Sequence, residues 1–276
     1  MKWEQNEIDF LKENYSIYGA KYCKPYVGNR SIDSIIATAN RLGLKLVNKQ
    51  IHPTLQKVSI DNFNTINKKE VAYFLGFLWS DGYIHHYVSN NINHYVVSIE
   101  IKTKDAIFLE KIFLSFGKWN IQKRKRGHWE ELTLFTTNNK DLYNFLFDCG
   151  YDTKSTSEPT LILNKIPEEL KKYFWKGVFD GDGSIGLSGR GAYFEIASTY
   201  DYEYLEIKNI FYTFGVTKYN VYKSTSKKGH KSSVIKVYGK EILKLETLFF
   251  NYGLIRKDEQ FKKVKQKYEN KSTSDD

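Results

Sequence analysis

The sequence predicts an α+β protein made of two tandem half-domains with antiparallel sheets, preceded by a small three-helix unit. Three observations carry this. An internal repeat runs through residues 69–268 at an offset of roughly 100 residues. Within each copy, apolar residues alternate along short segments, as in Val97, Ile99, Ile101 and in Phe194, Ile196. The first 47 residues keep a helical periodicity that stops at Leu46-Val47.

In residues 1–47, Ile8, Leu11 and Tyr15 recur at helical spacing, Tyr18-Gly19-Ala20 interrupts, and a second helical stretch reaches Val27. Asn29-Arg30-Ser31 offers an N-cap to a third helix from Ile32 to Leu42, and Gly43 stands where a left-handed residue ends it. Three short helices with a tight turn before the third describe a helix-turn-helix, whose last helix enters the major groove. A three-helix protein-interaction domain would share the same core. Residues 48–68, with His52-Pro53 and Asp61-Asn62, are expected to be a linker.

The repeat is legible in pairs. Residues 74–82 (FLGFLWSDG) match 175–183 (WKGVFDGDG), with Asp81 and Asp182 101 positions apart. Asp105–Leu109 matches Asp201–Leu205, Phe116-Gly117 matches Phe214-Gly215, and Asn139-Lys140 matches Gly239-Lys240. Gly150…Lys154 matches Gly253…Lys257. Each copy reads helix, strand, strand, helix, strand, strand, helix, giving half one at 69–165, half two at 166–268 and a basic tail to 276. An antiparallel sheet with helices behind it leaves one polar face open. Ser98, Glu100, Lys102, Glu195 and Thr199 are expected on that face, with Lys123, Arg124, Lys125, Arg126, Lys223, Lys227 and Lys228 at the hairpins.

Composition narrows the partner. With 42 Lys plus Arg against 32 Asp plus Glu, the net charge is +10 and the pI about 9.2, which favours an anionic partner such as nucleic acid. Cys23 and Cys149 have no zinc or disulfide spacing, so a reducing compartment is expected, cytoplasmic or organellar and not secreted. No apolar run approaches a membrane span.

The chemistry concentrates at the two nonapeptides. Gly76 and Gly177 are placed to let two helices cross near contact, and Gly82 and Gly183 to end each helix in the left-handed conformation. Asp81 and Asp182 then sit at helix C-termini, where the macrodipole is already negative, so a divalent cation is the natural compensation. Oxygen-only ligation suits Mg²⁺ or Mn²⁺, and the adjacent Ser80 and Gly181 are assigned to the same site. Asp180, whose repeat partner is Trp79, is given no metal role.

These two segments resemble the paired motifs of single-chain LAGLIDADG homing endonucleases over residues 69–268, and Trp3–Lys45 resembles the Myb-like helix-turn-helix domains of phage and mobile-element proteins. The first resemblance implies a metal-dependent enzyme that hydrolyses both strands of a long asymmetric DNA site as a monomer, without an obligate protein partner. Asp81 and Asp182 would be its metal-binding acids, and Lys140 and Lys240 the basic residues beside the phosphate, with Lys104 a fallback whose counterpart is Tyr200. The second implies a DNA face of Ser31, Asp33, Ser34, Thr38 and Arg41 over a core of Ile32, Ile35, Ile36 and Leu42. His85, His86, His128 and His230 lack ligand spacing and are taken as hairpin or loop residues. The competing reading is a nucleic-acid-binding protein of the same fold that does not cut, an RNA-splicing maturase or a transcription regulator.

Overall fold

The computed structural model describes residues 3–45, 58–125, 130–152, 154–155, 158–189, 191–198, 201–249 and 252–272. The expectations for Arg126, His128, Thr199 and Tyr200, and for the break after Val47, fall outside them. No helix among the described residues is long and apolar enough to cross a membrane. The chain forms two compact units, Met1–Ser59 with Leu114–Trp119, and Ile60–Phe113 with Asn120–Asp276.

In the first unit, α1 (Gln5–Cys23) is broken at Gly19, which adopts φ 74° and ψ 178°, and leads into a 3₁₀ turn at Lys24–Tyr26. Helix α2 (Ile32–Arg41) starts where the Ser31 hydroxyl accepts the Ser34 N–H at 3.1 Å. It ends at Gly43, whose φ of 70° lets the Leu44 N–H turn back to the Ala39 carbonyl at 2.9 Å. Leu11, Tyr15, Cys23, Val27, Ile35 and Ala39 form the core. Two expectations about α2 are corrected. Thr38 is buried, its hydroxyl accepting from the Arg41 guanidinium at 2.8 Å, whereas Ile36 is exposed. Ile35, Thr38, Ala39 and Leu42 form the i, i+3, i+4, i+7 stripe, so the open face carries Asp33, Ile36, Ala37, Asn40 and Arg41 instead.

Glu7 and Arg30 make a two-pronged pair at 2.7 and 3.1 Å, and the guanidinium lies 4.8 Å from the Trp3 ring centroid. Hydrogen bonds from Arg30 outweigh burial and hold the Glu7 carboxyl below the usual carboxylate range. A depressed acid contributes stability that is present above its unfolded value and is lost as the pH falls through the folded one. Glu7→Gln is therefore expected to lower the protection of α1 amides against hydrogen exchange at pH 6. The gap from wild type should begin to narrow below the ordinary carboxylate value of about 4.3 and disappear as the pH falls through the lowered folded one; a gap that did not narrow on acidification would remove the ion pair as its cause.

The second unit begins with α3 (Asp61–Asn64) and α4 (Lys69–Asp81). The first half continues through β1 (Gly82–Ser89), β2 (Ile92–Lys102), α5 (Thr103–Ser115), β3 (Asn120–Arg124), β4 (Leu132–Asn138) and α6 (Lys140–Asp148). The short β5 (Tyr151–Asp152), β6 (Lys154–Ser155) and α7 (Thr160–Leu163) lead to α8 (Glu168–Asp182). The second half repeats the pattern with β7 (Gly183–Ser188), β8 (Gly191–Ser198), α9 (Leu205–Thr213), β9 (Tyr219–Thr225) and β10 (Lys231–Tyr238). Its last helix is a 3₁₀ helix, Gly239–Leu248, followed by α10 (Ile255–Ser272).

The sheets are antiparallel, with strand orders β1-β2-β4-β3 and β7-β8-β10-β9, so the repeat read in the sequence is also a repeat of topology. Ile84, Val97, Ile99 and Phe135 are buried on one face of the first sheet, and Ile185, Phe194, Ile196 and Ile235 on the same face of the second. Stacked and edge-on rings fill the space behind, Phe74–Phe113–Phe135 in half one and Phe194–Phe179–Phe249–Phe261 in half two. The expected linker is partly structured: Phe63 is buried, 5.8 Å from the Phe74 ring and 5.9 Å from that of Phe145.

Candidate functional site

The centre of the second unit is the contact between α4 and α8. A Cβ on Gly76 would stand 1.9 Å from the Phe174 carbonyl oxygen, and one on Gly177 would stand 2.2 Å from that of Tyr73. At the next turn, a Cβ on Gly181 would meet the Ser80 hydroxyl at 1.9 Å and the Asp81 carboxylate at 3.0 Å. Residue 73 thus faces 177, 76 faces 174, and 80 faces 181: the helices run parallel in matching register. Their C-termini, with Asp81 and Asp182, reach one edge together. Asp81 is half-buried and Asp182 exposed.

Gly82 and Gly183 correct an expectation. Both are extended, with φ −80° and −87°, rather than left-handed. Their need for glycine is steric, because a Cβ would lie 2.6 Å from the Leu78 carbonyl oxygen at Gly82 and 2.4 Å from that of Phe179 at Gly183. The chain therefore leaves each helix directly into β1 or β7.

The orphan carbonyls at the two helix ends are met differently. At α4 the Tyr151 hydroxyl lies on the Leu78 and Gly82 carbonyls; at α8 the buried Lys257 ammonium donates to the matching Phe179 and Gly183 carbonyls. Burial, and next the charge of Arg256, push the Lys257 ammonium down to about 8, against the opposing pull of Asp180 and Asp81. Lys257 is thus a cation that the fold brings to the end of α8, next to Asp182. Its repeat partner Lys154 has its backbone in β6, beside α4 and β1.

Lys140 and Lys240 lie elsewhere. Lys140 sits over the Tyr95 ring at 5.4 Å, and Tyr95 pairs with His86, five positions beyond Asp81, or roughly 16 Å along the strand. Lys240 follows Tyr238, which pairs through Tyr193 with Gly186, so it too stands at the far end of its sheet from Asp182. Lys104 is exposed and paired with Glu130. Asp180, beside the acids in sequence, points away from the edge. It accepts from Tyr73, Lys176 and the Leu254 N–H, each at 2.8 Å, and Lys176 also reaches Asp258 at 2.9 Å. Burial raises the Asp180 carboxyl against those donors.

On the open sheet faces, Ser98 is fully buried and cannot touch a duplex, which corrects its assignment. Its neighbours keep their place, but their charges are paired: Lys102 with Glu130 at 2.8 Å, Lys123 with Glu131 at 4.0 Å, Arg124 with Glu100 at 3.9 Å, and Lys236 with Glu195 at 2.5 Å. Lys223 is held by Asp201 at 3.0 Å and by Glu203. Lys125, Lys227 and Lys228 are exposed. Pairs open to solvent in this way are weak and yield readily to a competing phosphate.

Among the described residues no group of three or more His, Cys, Asp or Glu could enclose a metal ion. What the edge offers is two carboxylates, with the Asp81 carboxylate close against Gly181 because that residue has no side chain. Such an open, oxygen-only donor set fits a hard divalent cation that completes its shell with water and phosphate oxygens. A cavity of about 350 Å³ opens beside Asp182, lined by Trp79, Ser80, Trp175, Val178 and Tyr204 among others. Burial first, and the Asp182 charge among smaller causes, push the Tyr204 phenol up.

No family model matches the chain, and no curated protein matches it. Solved structures that it resembles include LAGLIDADG homing endonucleases. I-DmoI in complex with DNA and Ca is 16% identical, covering 67% of this chain and 91% of that one, with a TM-score of 0.46. The I-LtrWI LAGLIDADG homing endonuclease bound to target DNA is 15% identical over 75% and 92%, with a TM-score of 0.49. I-WcaI bound to its DNA recognition sequence is 16% identical over 80% and 96%, with a TM-score of 0.49.

The residues that sequence reasoning missed are Lys257, Tyr151 and the Asp180–Lys176–Asp258 group. Lys257 had a signal, because Gly150…Lys154 repeats as Gly253…Lys257, but nothing in the spacing says that this segment folds back onto the end of α8.

Proposed function

We propose that this chain is a site-specific DNA endonuclease of the LAGLIDADG kind, acting as a monomer on a long asymmetric duplex, with residues 1–47 as a second, helix-turn-helix contact. The observation that carries the reading is the parallel, glycine-tight contact of α4 and α8, which brings Asp81 and Asp182 to one edge between two polar sheet faces. A protein that only binds nucleic acid gains nothing from two carboxylates converging at two helix ends, where dipole and phosphate both oppose them.

Asp81 and Asp182, with the backbone at Gly181 and the Ser80 hydroxyl nearby, would hold the divalent cation, Mg²⁺ or Mn²⁺. Bound there, the cation supplies Lewis acidity toward a phosphate oxygen and a water of lowered pKa. Lys257 contributes a fixed positive charge at the same edge, suited to the negative charge that grows on phosphate during hydrolysis. The sheets hold the duplex, their carboxylate partners giving way to phosphate.

Incubating the protein with a randomised duplex pool and Mg²⁺, then sequencing the cut ends, tests the reading. One recurrent asymmetric site cut on both strands supports it. Selective binding without cut ends would favour the non-cutting relative of the same fold. Placement of the lysines adds a sharper expectation: Lys257→Met lowers the cleavage rate on the order of 10²-fold, while Lys140→Ala and Lys240→Ala stay close to wild type. Strand-resolved nicking by the three variants checks this, and a large loss in Lys140→Ala or Lys240→Ala would restore the placement expected from sequence.

A further inference from the structure

The cavity of about 350 Å³ beside Asp182 falls in the size range of small-molecule sites, roughly 300–1,000 Å³. Four rings line it, Trp79 from α4, Trp175 from α8, and Tyr202 and Tyr204 from the segment before α9. The charged groups among its described lining residues are two carboxylates, Glu158 and Asp182, with no Lys, Arg or His. In a chain with 42 Lys plus Arg and a net charge of +10, that lining runs against its surroundings.

The tyrosine wall is held in place from several sides. Tyr204 has φ 57° and ψ 36°, a left-handed backbone that a residue with a side chain rarely adopts. Its ring is buried, and its hydroxyl donates to the Ile196 carbonyl at 3.2 Å while accepting from Ser233 Oγ at 3.3 Å. Ser233 Oγ also accepts the Tyr202 N–H at 3.0 Å, and the two tyrosine rings meet edge-on at 5.9 Å. Backbone strain that is over-determined in this way clusters at ligand sites. Glu158 is tied to the same wall, its Oε1 accepting the Leu205 N–H at 3.2 Å at the start of α9. Burial, opposed by the Leu205 and Tyr204 N–H groups, raises its carboxyl, so a bound cation would relieve a carboxylate already taken from water.

Half one does not repeat these walls. Phe77, buried, stands at the place of Val178, and Phe108, at the place of Tyr204, packs edge-on against Tyr73 and Tyr252 at 5.9 and 5.8 Å. The smaller Val178 side chain gives half two room that Phe77 takes up in half one.

We propose that this cavity binds a small organic cation with an aromatic body, its ring against the Trp and Tyr side chains and its ammonium toward Glu158 and Asp182. An anion would meet two carboxylates and no cation, and a purely apolar occupant would take water from both carboxylates without replacing it. The site stands whether or not the chain cuts DNA. One consequence rests on the metal reading above: the occupant and a divalent cation would claim the same Asp182 carboxylate, so each would weaken the other's binding.

Calorimetric titration in EDTA with 2-phenylethylammonium, and with 3-phenylpropionate as an anion of similar size and shape, tests the site. The cation is expected to bind saturably and the anion not to bind. Glu158→Gln keeps an oxygen to accept the Leu205 N–H and should weaken the cation about tenfold. Val178→Phe, which puts into half two the ring that half one carries at Phe77, should abolish binding while the circular dichroism stays that of wild type. No saturable binding of the cation, equal binding of both ions, or full affinity in either variant would overturn the proposal. Repeating the titration with Mg²⁺ in place of EDTA separates the two readings. A cation bound equally well in both buffers would remove the metal role of Asp182 and leave the cavity site standing.

Discussion

Asp81→Asn and Asp182→Asn are each expected to lower cleavage by about 10²–10³-fold or more while leaving duplex affinity near that of wild type. The side chains keep their shape, with one acceptor oxygen replaced by an NH2 donor; what is lost is one of the two charges that could hold a divalent cation at the edge where α4 and α8 end together. A second readout separates this from damage to the fold. A carboxylate in the last turn of a helix opposes the macrodipole, so each substitution should leave stability unchanged or raise it by about 0.3–1 kcal/mol. Inactive variants with equal or higher unfolding midpoints are the expected result. Full double-strand cutting by either would remove the proposed site.

Gly76→Ala is expected to have the largest effect on stability of any single methyl added to the second unit. The new Cβ would lie 1.9 Å from the Phe174 carbonyl oxygen, a backbone atom inside a helix that cannot move without shifting α8. Overpacking typically costs about 1–3 kcal/mol, and a clash with backbone belongs at or above the top of that range. Gly177→Ala should behave alike, since its Cβ would lie 2.2 Å from the Tyr73 carbonyl oxygen. Gly43→Ala is the control. That glycine has φ 70° but open space around it, so the cost there is conformational alone, about 1 kcal/mol. Chemical denaturation of the three variants decides the matter; a Gly76→Ala midpoint no lower than that of Gly43→Ala would mean that the two helices do not cross as closely as described. The same contact positions the acids, so the Gly76 and Gly177 variants should also lose activity if they fold.

The sequence by itself determined the repeat, the glycines that let two helices touch, and the acids that end them. These are properties of spacing: a residue without a side chain every time two backbones must meet, and a polar residue at the same distance beyond it in both copies. The N-cap at Ser31 and the left-handed Gly43 were legible for the same reason, because caps are set by the backbone of a few adjacent residues. Only the tertiary structure decided what meets those elements from far along the chain. Lys257 reaches the end of α8 because α10 folds back across some 75 positions, and no local pattern encodes that return. Lys140, in an equally suggestive place beside its strand, is carried to the far end of the sheet by antiparallel register, where each residue added to a strand moves the next element roughly 3.3 Å further from the acids. Thr38 and Ser98, polar by composition, are buried by the phase of a helix stripe and by neighbours across a sheet. Burial of that kind belongs to the assembled face, so no single segment could announce it.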